Sequence, residues 1–288
     1  MNESGNAYIL TLSCLDRAGI VAAVSGYISS LGGFIVDSQQ YADLDAGRFF
    51  MRVEFTLKGD QSLRLDDLRA GFNKVADRLS LEWQLMPAAH RPQMLIAVSK
   101  GSHCLNDLLH RWKTGGLPVE VVGVVSNHQD LRALAEWNDV PFHHLPVTPD
   151  RKEKQEAELL SLFEQVGAEY LILARYMQVL SADLAERLAG RCINIHHSFL
   201  PSFKGAQPYK RAHDRGVKLI GATAHFVTSD LDEGPIIEQD VERVDHRSTE
   251  KDLVRIGRDI EARVLARAVR WTAERRVFLN GIRTVVFR

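Results

Sequence analysis

"MLIAVS" at residues 94–99 and "VEVVGVVS" at residues 119–126 decide how this chain is read. Both runs are short and almost wholly apolar. A strand with one wet face alternates polar and apolar residues, whereas a run with no polar phase fits a strand covered on both faces. That is the situation of a parallel sheet clothed by helices. Residues 104–113 between them read as a helix. "YLILARY" (170–176) and "CINIH" (192–196) repeat the theme, with a charged helix over roughly 151–166 ahead of the former. Strands alternating with helices predict a doubly wound, mostly parallel α/β domain. Downstream, a helix is expected over 208–215, then neighbouring antiparallel strands at "LIGATAHFV" (219–227) and "PIIEQDVERV" (235–244). A long helix follows the capping signal Thr249-x-x-Asp252, with Leu253, Ile256, Ile260, Val264, Ala268 and Trp271 on its buried side.

Upstream the pattern differs. "YILTLSC" (8–14) reads as a strand, and Ile20, Val24, Tyr27, Ile28 and Leu31 recur at helical spacing up to Gly32-Gly33. "FIVDSQQYAD" (34–43) and "RFFMRVEFTL" (48–57) form a hairpin pattern around the polar "LDAG". Leu65, Leu68, Phe72, Val75 and Leu79 step along one helix face, and "LEWQLM" (81–86) closes the set. The order βαββαβ predicts a ferredoxin-like module. The prolines of "PAAHRP" (87–92) mark a linker, giving a first domain over 1–86 and a second over 93–288.

Composition narrows the function classes. The 288 residues carry 36 Lys and Arg against 37 Asp and Glu, a formal charge of −1. That balance argues against a nucleic-acid partner or an anionic membrane. Cys14, Cys104 and Cys192 lack any C-x-x-C spacing, which speaks against a disulfide framework and a Cys-rich zinc site and fits a reducing compartment. No basic segment leads into an apolar stretch at residue 1, and no apolar run nears the ~20 residues of a membrane helix. A cytoplasmic protein is expected.

"CINIHHSFLP" (192–201) ends a buried strand in an amide and two imidazoles. Strand alternation puts Asn194 and His196 on one face, at the carboxyl edge where open α/β sheets bind ligands. A single Asn or His there is ordinarily a satisfied polar cap. Two further features raise the interest. His225 lies inside an apolar strand, and "SDLDEGP" then crowds Asp230, Asp232 and Glu233 into a loop closed by Gly234 and Pro235. Amide, imidazole and carboxylate together suit attack on a carbonyl: the first two donate to a developing oxyanion, and the carboxylate orients water or relays a proton. A metal held by His196, His197, His225 and Asp232 is disfavoured, because neighbouring strand residues such as His196 and His197 point to opposite faces and no H-E-x-x-H occurs. No G-x-S-x-G is present, and Cys192 sits in the apolar strand as packing.

"INIHHSFLPSFKGAQPYKRAHDRGVKLIGATAHFVTSDLDEGPII" (193–237) resembles the catalytic core of the folate-dependent formyltransferase fold. That family's N-x-H…H…D set matches Asn194, His196, His225 and Asp232. "LARYMQVL" (173–180) resembles the segment whose backbone holds the pterin ring. The resemblance extends to one branch, the formyltetrahydrofolate deformylases. His197 stands where glycinamide ribonucleotide formyltransferases usually have proline, and "GAQPY…GVKLIGATAH" has the deformylase wording. "LSCLDRAGIVAAVSGYI" (12–28) resembles an ACT domain, which deformylases of this type carry. The loop "SKGSHCLND" (99–107) departs from the small-residue, phosphate-cradling loop of the ribonucleotide enzymes.

The resemblance implies hydrolysis of 10-formyltetrahydrofolate to tetrahydrofolate and formate, with no cofactor and no metal. Asp232 would position the water, His196 would stabilise the oxyanion, and Asn194 would hold the formyl oxygen. His225 would support Asp232, and His197 would fill the space an acceptor needs. Met177, Val179, Leu180 and Asp230 would contact the substrate, while "SFLPSFKG" turns the chain away to leave room. Asp16, Gly19 and Ile20 would bind a small amino-acid effector, unless Asp16 only caps the helix and the module only mediates assembly. A homo-oligomer is expected. Two readings stay open here: a glycinamide ribonucleotide formyltransferase, and a non-catalytic protein that senses an amino acid and folate.

Overall fold

The first unit packs two helices on one face of its sheet, and its central strand is buried on both faces. The computed structural model describes residues 7–57, 64–148, 151–200 and 208–288. Strand β1 (Ala7–Leu15) leads through helix α1 (Ile20–Ser30) to β2 (Gly33–Asp43) and β3 (Arg48–Leu57), then α2 (Leu65–Leu79) and β4 (Glu82–Pro87). The sheet order is β2-β3-β1-β4, with every neighbouring pair antiparallel. This is the expected βαββαβ arrangement. Alternate residues of β1 and β3, among them Leu10, Leu12, Met51, Val53 and Phe55, pack against Val24, Ile28, Leu68 and Phe72 of the two helices. Burying such side chains contributes about 1.5–3 kcal/mol each. The other face buries Phe50, whose ring lies 5.9 Å from Phe278, and Arg52, which is paired with Asp37 and Glu54.

The second unit carries the seven-stranded sheet β11-β10-β9-β8-β5-β6-β7. Its strands are β5 (Gln93–Val98), β6 (Glu120–Ser126), β7 (Phe142–His144), β8 (Tyr170–Leu173), β9 (Cys192–His196), β10 (Leu219–Phe226) and β11 (Ile236–Arg243). The five from β5 to β9 run parallel, and β10 and β11 are antiparallel additions. Strand order turns at β5, from which the chain winds first to β6 and later back to β8. Crossovers are made by α3 (His103–Lys113), α4 (Arg132–Trp137), α5 (Lys152–Gln165) and α6 (Ala182–Arg187), with α7 (Pro208–Asp214) ahead of β10. Helix α8 (Glu250–Ala273) starts at the Thr249–Asp252 capping box and packs on β9, β10 and β11. Strands β12 (Val277–Asn280) and β13 (Arg283–Val286) form a closing hairpin.

Several details differ from the sequence reading. The strand expected over 170–176 stops at Leu173, so residues 174–180 form a loop across the sheet edge. Ile256 and Trp271 of α8 are only half-buried, while Gly257, Glu261 and Leu265 are buried. The chain divides between His90 and Arg91, and residues 275–278 and 285–288 group with the first unit, so the second is not the uninterrupted 93–288. The reason is packing: Phe278 and Phe287 stack edge-on at 5.4 Å, and Gln39 of β2 donates to the Arg288 carbonyl. Residues 201–207 of the turning segment lie outside the described residues. Among the described residues, no helix is long and apolar enough to cross a membrane.

Candidate active site

The register of two antiparallel neighbours assembles the first cluster. Asn194 of β9 lies opposite His225 of β10, and His196 lies opposite Thr223. The Asn194 amide Nδ2 donates to His225 Nε2 at 3.2 Å, and His225 Nδ1 lies 2.9 Å from the Phe226 carbonyl. The partners fix the tautomer: Nδ1 carries the proton and Nε2 accepts. Asp232 returns to this pair from the loop after β10. Its Oδ1 is 3.2 Å from His196 Nδ1 and 3.7 Å from His225 Nε2.

That return depends on close backbone packing at Gly234. A Cβ there would stand 1.8 Å from the Phe226 carbonyl oxygen, so only glycine lets Pro235 accept the Phe226 N–H at 2.9 Å. Asp232 itself is held at φ 58, in the left-handed region. Five described non-glycine residues have positive φ; Ser80, Asp139 and Arg275 follow helix ends, and the other two are Asp232 and Arg175. Strain of this kind costs about 1–3 kcal/mol and persists where the surroundings enforce it.

Burial alone would raise the Asp232 carboxyl, but the hydrogen bond from His196 Nδ1 and the neighbouring His225 imidazole outweigh it, holding it well below the ordinary carboxylate range. His196 is buried, and its Nε2 has no hydrogen-bond partner among the described residues. An orphaned polar atom in a site is an open valence for a ligand.

A second cluster adjoins the first through stacked imidazoles. The strand ends at His196, so His197 escapes the alternation expected of it. Its ring lies against that of His196 at 4.9 Å and 21° instead of pointing to the opposite face. His197 Nδ1 accepts from Arg175 Nη1 at 2.5 Å. Burial, the Arg175 guanidinium and His196 push His197 down to about 4, so it is neutral near pH 7. Behind Arg175 stands Glu261 of α8, 1% exposed. Its Oε2 is 2.7 Å from His103 Nε2 and 3.4 Å from Arg175 Nε, and its Oε1 accepts from the Tyr209 hydroxyl at 2.5 Å. Burial opposes the charge on Glu261, but the His103 hydrogen bond, Arg175 and Tyr209 together hold its carboxyl below the usual value.

The sequence reading missed Arg175, His103, Tyr209 and Glu261 as functional residues. A glutamate on the apolar stripe of α8, four residues after a mid-helix glycine, was the available signal. These residues line a cavity of about 380 Å³ together with Ser99, Lys100, Met177 and Arg258.

The structure disperses the other expected contacts. Met177 is 57% exposed at that cavity, with its backbone N–H donating to Ser99 Oγ. Val179 is exposed, Leu180 packs on the core under β8, and Asp230 is exposed with its carbonyl accepting from Thr228. In the first unit, Gly19 (φ 92) is the N-cap of α1 and no side chain caps it, so Asp16 is not the cap. Ile20 is buried in the core.

Neither cluster is arranged as a metal centre. His197 turns to Arg175 and His225 Nε2 to Asn194, so the four residues first considered do not converge. His103, Cys104 and Glu261 place donor atoms within 4.8 Å of one another. Their chemistry opposes a cation: Arg175 already faces the Glu261 carboxylate, and burial keeps the Cys104 thiol well above its usual value and so protonated.

Comparison with known proteins shows what the chain is similar to. The formyl transferase family matches residues 93–269. A formyltetrahydrofolate deformylase of Corynebacterium sp. (strain P-1) is 54% identical, covering 98% of this chain and 98% of its own. The crystal structure of a formyltetrahydrofolate deformylase from Burkholderia mallei ATCC 23344 superposes with a TM-score of 0.94 at 55% identity, over 98% of this chain and 100% of that one. A glycinamide ribonucleotide transformylase from Symbiobacterium toebii is more distant, with a TM-score of 0.65 and 30% identity over 69% of this chain and 95% of its own. The chain belongs to the formyltetrahydrofolate deformylase family.

Proposed function

We propose that the chain hydrolyses 10-formyltetrahydrofolate to tetrahydrofolate and formate. The observation that carries this reading is the meeting of Asn194, His196, His225 and Asp232 at one sheet edge, with His196 Nε2 left unpartnered. Water adds to the formyl carbon, the bond from that carbon to N10 breaks, N10 keeps one water proton, and formate leaves with release of the other. The ionised Asp232 orients the water and takes up its proton as the bond forms. Protonated His196, tied to Asp232 through Nδ1, directs Nε2–H at the developing oxyanion. Asn194 spends one amide N–H on His225 and offers the second to the formyl oxygen. His225 is the support that aims Asn194 and Asp232. Met177 and the backbone of 174–180 flank the pterin. Water and substrate suffice for this chemistry, with no cofactor.

The family branch and module order support finer parts of the same reading. The first unit acts as an ACT-type regulatory domain that binds a small amino acid at the Asp16–Gly19 turn. The protein works as a homo-oligomer in the cytoplasm, and its formate feeds purine synthesis.

Incubation with 10-formyltetrahydrofolate, with and without glycinamide ribonucleotide, tests the reaction. Formate and tetrahydrofolate are expected in equal amounts without the amine. Turnover only when the amine is added sinks hydrolysis, and no turnover in either arm supports a sensing protein. Titration of glycine and methionine against activity tests the effector.

A further inference from the structure

The His196 ring needs more than Asp232 to aim it. One hydrogen bond at Nδ1 fixes an atom, and the ring remains free to tilt about that contact. Its plane, and so the direction of Nε2, is set by the face of His197 at 4.9 Å and 21°. His197 is in turn held through Nδ1 by Arg175. Arg175 sits at φ 65 on the loop after β8, where its carbonyl accepts the Ser99 N–H at 3.2 Å. A strained arginine needs an anchor, and the buried Glu261 carboxylate lies 3.4 Å from its Nε.

Resting on the hydrolytic reading, we propose that Glu261 is a positioning residue for deformylation, acting through Arg175 and His197 to fix the plane of His196. Two physical tasks fall to it. Its charge offsets that of Arg175, so the contact with His197 presents no net cation to the protonated His196. Its geometry holds the guanidinium where Nη1 meets Nδ1 of a neutral imidazole, which places the His197 proton on Nε2. Glu261 is itself clamped by His103 and Tyr209. Gly257, one turn earlier in α8, makes room for the second clamp: a Cβ there would stand 2.0 Å from the Tyr209 hydroxyl. A glycine inside a helix costs about 1 kcal/mol relative to alanine. Here it admits the phenol that completes the Glu261 shell.

Glu261→Gln keeps the shape but removes the charge and replaces one accepting oxygen by a donating NH2. In the full chain, kcat for formate release is expected to fall about tenfold while KM changes less than about twofold, the signature of lost transition-state alignment. In 15N-labelled protein, the imidazole signals of His197 are expected to show a single Nε2–H tautomer in the wild type and a mixture in the variant. Wild-type kcat, a change in KM alone, or an unaltered His197 tautomer would overturn the proposal. Should Glu261→Gln not fold, Tyr209→Phe and Gly257→Ala decide: each is expected to lower kcat about threefold with tautomer mixing, and unchanged kcat in both overturns it. If the wild type releases no formate, the hydrolytic reading fails, and the tautomer comparison alone decides whether the brace exists.

Discussion

Asp232, half-buried, and Glu261, fully buried, are both carboxylates kept ionised by neighbouring imidazoles, yet they are built oppositely. Asp232 rides on a loop in a left-handed conformation, its side chain 13% exposed and aimed at a histidine with a vacant nitrogen. Glu261 sits in the middle of a 24-residue helix, 1% exposed, with both oxygens engaged. A carboxylate that does chemistry must face something that comes and goes. One that aligns other groups is best placed on a rigid element and satisfied on all sides.

The comparison breaks most directly at Asp232. Asp232→Asn keeps a residue that tolerates positive φ, so the loop should hold, yet kcat is expected to fall about a thousandfold while folate binding by calorimetry stays near normal. A loss no larger than that of Glu261→Gln would erase the distinction drawn between the two. Gly234→Ala comes next. Its methyl group would clash with the Phe226 carbonyl and displace the loop, and kcat is expected to fall about a hundredfold with about 2–3 kcal/mol of stability lost in urea denaturation.

Acid sharpens the comparison through linkage. Both carboxyls are depressed in the folded state, so each contributes stability that is full above the unfolded carboxylate range, about pH 4, and lost as pH falls through the lower folded value. The Tm advantage of wild type over Asp232→Asn should therefore hold at neutral pH, narrow below about pH 4 and vanish only as pH falls through the depressed folded value. Activity lost between about pH 7 and 5 should not trace to Asp232, and the Asp232→Asn residual rate should keep the same acid limb. The smallest effect is expected at Met177→Ala, a few-fold rise in KM with kcat unchanged, since an exposed side chain adds binding that is equal in ground and transition states.

The legibility of the sequence followed the length and purity of its signals. "MLIAVS" and "VEVVGVVS" announced parallel strands because no alternating polar phase offered a wet face. Elements of three to six residues, such as β7, α4 and α6, show less than two turns of any period and passed unread. The hairpin of β12 and β13 carried a readable Asn280-Gly281 signal that was overlooked. At the site, Asn194, His196, His225 and Asp232 were visible as polar residues in apolar strands or a tight acidic loop. Glu261 and Arg175 were not, because a charged residue in a charged helix or at a strand end looks solvated until packing shows what covers it.

The return of residues 275–278 and 285–288 to the first unit bears on biosynthesis. The ribosome delivers β1 to β4 early, but Phe50 is left without the Phe278 ring that abuts it, and β2 without its hydrogen bond to Arg288. The nascent amino-terminal unit therefore waits, with an aromatic surface uncovered, until translation has passed the entire sheet of the second unit. A chain severed after His90 would inherit that bare surface permanently and should be prone to aggregate.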